Sequence, residues 1–152
     1  MVTGAGNLLF LDTNILVYSS ESRAPFHTVA VEALQEYDRV GTEFWISRQV
    51  LREYLATLTR PQFWGSPQPL SQLPAEVELF MAQFRIAEDN SDVTGQLLTL
   101  LQQVPAGGKQ VHDANIVATL RAHRIPRLLT HNDADFARYA GIITVVPLVP
   151  AR

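Results

Sequence analysis

At 152 residues, with 47% hydrophobic side chains, the chain has the size of one domain and enough apolar material to bury a core without external staples. It contains no cysteine, which excludes a disulfide framework, thiolate zinc sites and cysteine nucleophiles, so any metal must be held by oxygen or imidazole. A net charge of −3 excludes the whole-domain basic field of a tight nucleic-acid binder, and no apolar run approaches the roughly 20 residues of a membrane span. No signal-peptide pattern opens the sequence, and with the lack of cysteine this sets the expectation of a cytoplasmic protein with no membrane partner.

In chain order, Leu8-Leu9-Phe10-Leu11 is an unbroken apolar run suited to a strand covered on both faces, and it stops at the polar triplet Asp12-Thr13-Asn14. A helix is expected from about Phe26 to Tyr37. Phe44-Trp45-Ile46 forms a second short strand, and Ser47 is placed to cap a helix with Val50, Leu51, Tyr54, Leu55 and Leu58 on its core face. The stretch Arg60 to Pro74, with four prolines and Gly65, is expected to be an irregular connection or lid. Helices follow near Ala75–Phe84 and Thr94–Gln103, with Arg85-Ile86-Ala87 between them as a strand. Gly107-Gly108 interrupts the chain ahead of a strong helical pattern from Lys109 to about His123. Strand Arg127–Thr130, a short helix over Asp133–Tyr139 and strand Ile142–Val146 complete the pattern. Strands separated by helices imply parallel crossovers, hence a three-layer α/β/α sandwich around a mostly parallel sheet, organised as a single domain over residues 1–152.

Several acids stand where such a fold does not need them. Asp12 ends the first apolar strand, and in open α/β sheets ligands bind at the carboxyl ends of strands. Capping the next helix is the competing role for it. Asp113 shares a helix face with Ile116, Val117 and Leu120, so it sits on an apolar stripe where a carboxylate must be paired, protonated or bound to a cation. An ion pair with Lys109, Arg121 or another arginine would also satisfy it. Glu53 flanks the apolar stripe of its own helix and leans toward the sheet edge; its spacing alone is that of a solvated glutamate. Thr130-His131-Asn132-Asp133-Ala134-Asp135-Phe136 follows a further strand, and Asn132 and Asp133 are natural helix caps there. Oxygen groups that end two strands and decorate two helices suit a hard divalent cation such as Mg²⁺ or Mn²⁺, which takes oxygen ligands and retains several waters. The four histidines have no metal-motif spacing, and His112 beside Asp113 is the one nearest to the acids.

These residues resemble the PIN domain family, and within it the VapC-type toxins of toxin–antitoxin systems. Four segments carry the likeness in the family's order: Leu9-Phe10-Leu11-Asp12-Thr13-Asn14; Val50-Leu51-Arg52-Glu53-Tyr54-Leu55 with Thr59-Arg60-Pro61; Val111-His112-Asp113-Ala114-Asn115-Ile116-Val117-Ala118; and Leu128-Leu129-Thr130-His131-Asn132-Asp133-Ala134-Asp135-Phe136. The resemblance implies that Asp12, Glu53 and Asp113 bind Mg²⁺ or Mn²⁺, that the chain is an endoribonuclease hydrolysing RNA, that it forms homodimers, and that an antitoxin protein inhibits it. It also implies a fourth polar ligand after Thr130. The family often has aspartate there; here Asn132 is the first choice and Asp135 the second, with Thr130 as an orienting hydroxyl.

Two other readings compete. In a phospho-acceptor α/β domain, an acid would precede the strand-end aspartate and a lysine would follow a later strand; Leu11 precedes Asp12, and the only lysine, Lys109, opens a helix. In an inactive interaction module that keeps the fold, the acid set would be free to lapse, and here it is complete.

Overall fold

Leu9, Phe10 and Leu11 are fully buried, so the first strand, β1 (Leu8–Leu11), is covered on both faces, as its uninterrupted apolar run requires. The computed structural model describes residues 7–150, and its elements follow as α1 (Thr13–Ser20), α2 (His27–Arg39), β2 (Glu43–Ile46), α3 (Arg48–Leu58), α4 (Leu73–Gln83), β3 (Arg85–Ile86), α5 (Ser91–Gln103), α6 (Gln110–His123), β4 (Arg127–Thr130), α7 (Asp133–Phe136) and β5 (Thr144–Pro147). A 3₁₀ turn over Ala137–Tyr139 continues α7.

The strands form one sheet in the order β3-β2-β1-β4-β5, and every pairing is parallel. The expected α/β sandwich is what forms, with a wholly parallel sheet. Phe10 stands beside Trp45 on one side and Leu128 on the other, so β1 is the central strand. From β1 the chain builds outward to β2 and β3, then crosses back to start the other half at β4. The direction of winding therefore reverses between β1 and β4. A crevice opens at such a switch point, beyond the carboxyl ends of the two strands. Asp12 follows β1 and Thr130 ends β4, so the fold itself brings them there.

One contiguous core joins β1, α1, α3, α6 and β4 through residues such as Ile15, Tyr54, Ile116 and Leu128. Among helix pairs, α5 lies against α6, and α1 packs on both α2 and α3. Ser47 caps α3 by accepting from the Val50 amide at 3.4 Å.

Several boundaries differ from the sequence expectation for identifiable reasons. The helix that Asp12 would cap has no bounds in the sequence reading, because the short segment up to Ser19-Ser20 carries little periodic signal; it forms as α1. The helix α5 begins at Ser91, ahead of Thr94, because Asn90 caps it by accepting from the amides of Asp92 and Val93. The last strand starts at Thr144 instead of Ile142, since the amides of Ile142 and Ile143 both donate to the Tyr139 carbonyl in a turn. Phe26, expected to open a helix, lies just outside it with φ 61°, a left-handed conformation that is rare for a bulky side chain.

Candidate active site

Asp12 is 5% exposed, and among the described residues its carboxylate is met only by neutral donors. Oδ1 accepts from the Thr13 amide at 2.8 Å, which caps α1, while Oδ2 accepts from the Thr130 hydroxyl at 2.7 Å and from Asn14 Nδ2 at 3.1 Å. Helix capping and a place in the cleft were alternatives in the sequence; the side chain does both with different oxygens. Each carboxylate oxygen has two lone pairs, so acceptor capacity remains on Oδ1. Burial, partly countered by the Thr130 and Thr13 hydrogen bonds and reinforced by the nearby charges of Glu53 and Asp113, pushes the Asp12 carboxyl up to about 6. The Asn14 carboxamide locks the switch point, since its Oδ1 also accepts from the His131 amide at 2.9 Å.

Glu53 is held by a relay that crosses three helices. The Thr13 hydroxyl donates to its Oε2 at 2.6 Å, and Gln49 Nε2 donates to its Oε1 at 2.8 Å. The same Gln49 amide reaches the His112 carbonyl at 2.9 Å, and Gln49 Oε1 accepts from Asn115 Nδ2 at 2.9 Å. Thus α1, α3 and α6 are tied together around the acids. Gln49 and Asn115 were not singled out from the sequence. The available signal was their position: Gln49 is one turn before Glu53, and Asn115 lies two residues after Asp113.

Asp113 departs from the sequence expectation. It is half-buried and lines an open cleft, whereas helix-face spacing had placed it on a fully covered stripe. Its neighbours Ile116, Val117 and Leu120 are buried, but Asp113 lies in the first turn, where the helix emerges at the sheet edge. Among the described residues it forms no ion pair with Lys109, Arg121 or any other arginine. Desolvation first, then the charges of Asp135 and Glu53, raise its carboxyl above the usual range, against the opposing pull of His112 and Arg138. Asn132 occupies the N-cap position of α7, yet its side chain makes no capping bond; it lines the cleft, and its amide donates to the Thr130 hydroxyl at 2.9 Å. Asp135 is exposed and near enough to act electrostatically on Asp113, but it does not line the cleft. His112 is exposed, and its carbonyl is the part engaged in the relay.

The cleft has a volume of about 660 Å³ and brings Asp12, Glu53, Asp113 and Asn132 into one space. Among the described residues no three Asp, Glu or His side chains converge as a ready-made metal cage. The donor set is nevertheless all oxygen, and among the described residues none of these acids forms an ion pair. Two or three such oxygens are what a hard, largely hydrated divalent ion takes from a protein. Also among the described residues, no helix is long and apolar enough to cross a membrane.

The fold has counterparts among known proteins. The family model described as the PIN domain matches residues 9–142. Ribonuclease VapC48 of Mycobacterium tuberculosis is similar at 24% identity over 133 residues, covering 86% of this chain and 91% of its own. Two solved structures share the fold with a TM-score of 0.66 and 20% identity. One is Mycobacterium tuberculosis VapC20, described as a sarcin-ricin loop cleaving toxin, over 91% of this chain and 99% of that one. The other is VapBC2 from Rickettsia felis, bound to a DNA fragment from its promoter, over 92% and 98%. The matched span runs from β1 to the turn before β5 and contains all four segments on which the sequence resemblance rested. The chain belongs to the PIN domain family.

Proposed function

We propose that the chain is a divalent-metal-dependent endoribonuclease, the toxin of a toxin–antitoxin pair. The observation that carries this reading is Asp12, a buried carboxylate without a cationic partner at the switch point of a parallel sheet, sharing its cleft with Glu53 and Asp113. The similarity to ribonuclease VapC48 supports the substrate class. The solved neighbour from Klebsiella pneumoniae, described as a toxin–antitoxin complex, supports an antitoxin partner.

Asp12, Glu53 and Asp113 are the residues that would hold Mg²⁺ or Mn²⁺, with Asn132 as the fourth group and Asp135 behind it. A divalent ion in such a site supplies charge neutralisation at the scissile phosphate and lowers the pKa of a bound water. The protein's part is orientation. The Thr130 hydroxyl and the Asn14 amide fix the Asp12 carboxylate, and Thr13 and Gln49 fix that of Glu53. Side chains locked in this way lose little freedom when substrate binds. A homodimer completes the proposed assembly.

Incubating the purified chain with RNA and Mg²⁺ or Mn²⁺ tests the reading. Cleavage should stop on adding EDTA, and Asp113→Asn should fold normally while losing activity by at least ~100-fold, the scale of removing a group aimed at transition-state charge. Undiminished cleavage by Asp113→Asn would remove Asp113 from the site. Absence of cleavage by the native chain on every RNA tested would favour the inactive interaction module.

A further inference from the structure

The acids line only part of the cleft. The connection between α3 and α4 contributes Phe63 and Trp64, and Tyr18 of α1 lies beyond them. Phe63 meets Trp64 edge-on with ring centroids 5.0 Å apart, Trp64 meets Tyr18 at 6.4 Å, and Tyr18 meets the His131 ring at 5.4 Å. A continuous aromatic band therefore runs from the loop to the residue after Thr130, beside Asp12. Phe63 is 87% exposed at the outer end of this band, so its ring is open to a ligand entering the cleft.

Its loop is braced. Gln62 and Gly65 exchange reciprocal backbone hydrogen bonds at 3.0 and 3.1 Å, Gln62 Nε2 donates to the Thr57 carbonyl at 2.9 Å, and the Gln68 amide donates to the Leu58 carbonyl at 2.8 Å. Arg60 and Lys109 line the same cleft, and among the described residues neither forms an ion pair. Arg60 Nε donates to the Ala56 carbonyl at 3.0 Å, which holds the guanidinium at the cleft while leaving its charge unmatched by an acid. Rings held in place beside such cations are the two elements by which proteins grip single-stranded nucleic acid: π-faces for bases, positive charge for phosphates.

We propose that this band is a stacking wall for unpaired nucleobases next to the scissile phosphate, with Arg60 and Lys109 meeting the flanking phosphates. The proposal rests on the ribonuclease reading and assigns the grip on bases beside the cut to Phe63, Trp64 and Tyr18, which base faces already stacked within a duplex could not meet. An apolar protein segment docking on Phe63 would need only an apolar side chain there, whereas a base needs a π-face.

The test is binding of a fluorescein-labelled, mixed-sequence 12-nucleotide RNA to the full chain in EDTA, where hydrolysis is blocked, read by anisotropy and by quenching of tryptophan emission. The single strand should bind at least tenfold more tightly than the same strand annealed to its complement. Phe63→Ala should weaken single-strand binding about tenfold, the scale of one lost base stack, Phe63→Trp should restore it, and Phe63→Leu should not. Phe63 is exposed, so none of these changes threatens the fold. No measurable binding, equal affinity for duplex and single strand, or wild-type affinity in Phe63→Leu would overturn the wall; the last would assign Phe63 to a protein surface. Ring-dependent binding without cleavage when Mg²⁺ is restored would sustain the wall and overturn the nuclease. Cleavage by Phe63→Ala with unchanged KM would do the reverse.

Discussion

Burial raises the proton affinity of the Asp12 carboxyl, and the effect on stability can be measured. Its pKa rises from 3.8 to about 6, so between those values the folded chain holds a proton that the unfolded chain has released. Stability must then fall as pH rises through this window, by about 3 kcal/mol in total. Glu21 works in the opposite sense: hydrogen bonds from Arg23 hold its carboxyl down at about 2, so its contribution is present above 4.5 and is lost as pH falls below that. These two groups alone therefore favour the folded metal-free chain most between their transitions, near pH 4 to 5. In Asp12→Asn the decline from pH 4 to 7 should flatten, as read from Tm against pH in EDTA; an unchanged slope would show that Asp12 is not its source.

Residue by residue, the sequence exposed the acids better than their surroundings. Asp12 stood out because a polar group ends an apolar strand. Its depth relative to Asp113 came out inverted, since helical spacing reports which face a residue occupies and says nothing of how far along the helix that face stays covered. Thr130 was legible as a hydroxyl at a strand end. Gln49 and Asn115 were not, because a polar residue on a helix looks solvated until the partner helix is in place.

At the level of elements, the connection from Thr59 to Gln72 is the part whose behaviour the structure most redefines. Its prolines announced an irregular segment, but a lid in the sense of a loose flap is not what forms. Arg23 Nη2 donates to the Ser66 carbonyl at 3.1 Å, Arg23 Nε pairs with Glu21 at 3.0 Å, and Gln68 also donates to Glu21, which is 4% exposed. A buried acid at the end of α1 thus anchors the loop to the sheet side of the molecule. The contacts to Ser66 and Gln68 span more than forty residues of sequence, which is why no local pattern disclosed them. Glu21→Gln should lower stability by about 1–3 kcal/mol, since charge-assisted bonds at a buried site are replaced by weaker ones. It should also raise KM for RNA several-fold while kcat changes little. A change confined to kcat would mean that the loop supports chemistry instead of substrate placement.

For the molecule as a whole, a net charge of −3 sets how RNA can be held. With Arg60 and Lys109 the only cations in the cleft lining among the described residues, about two phosphates are neutralised on binding. Affinity for single-stranded RNA should then fall with salt along a logarithmic slope of about −1.4, far shallower than for a basic nucleic-acid binder. Anisotropy titrations between roughly 50 and 200 mM salt would show it, and a slope several times steeper would point to a phosphate track elsewhere on the surface. The global architecture was the most legible level of all, because alternating buried strands and helices leave few topologies open. Which two strands would flank the reversal could not be read from periodicity, since it depends on where the third crossover lands.

The position of β4 beside β1 also orders events during synthesis. Asp12 and Glu53 leave the ribosome early, but the hydroxyl that orients Asp12 belongs to Thr130, and the Asp12 amide itself donates to the Leu129 carbonyl at 3.0 Å. Until that late strand docks, the central strand has one bare edge and the first acid lacks its brace. A growing chain thus lacks the finished cleft until β4 has emerged and docked.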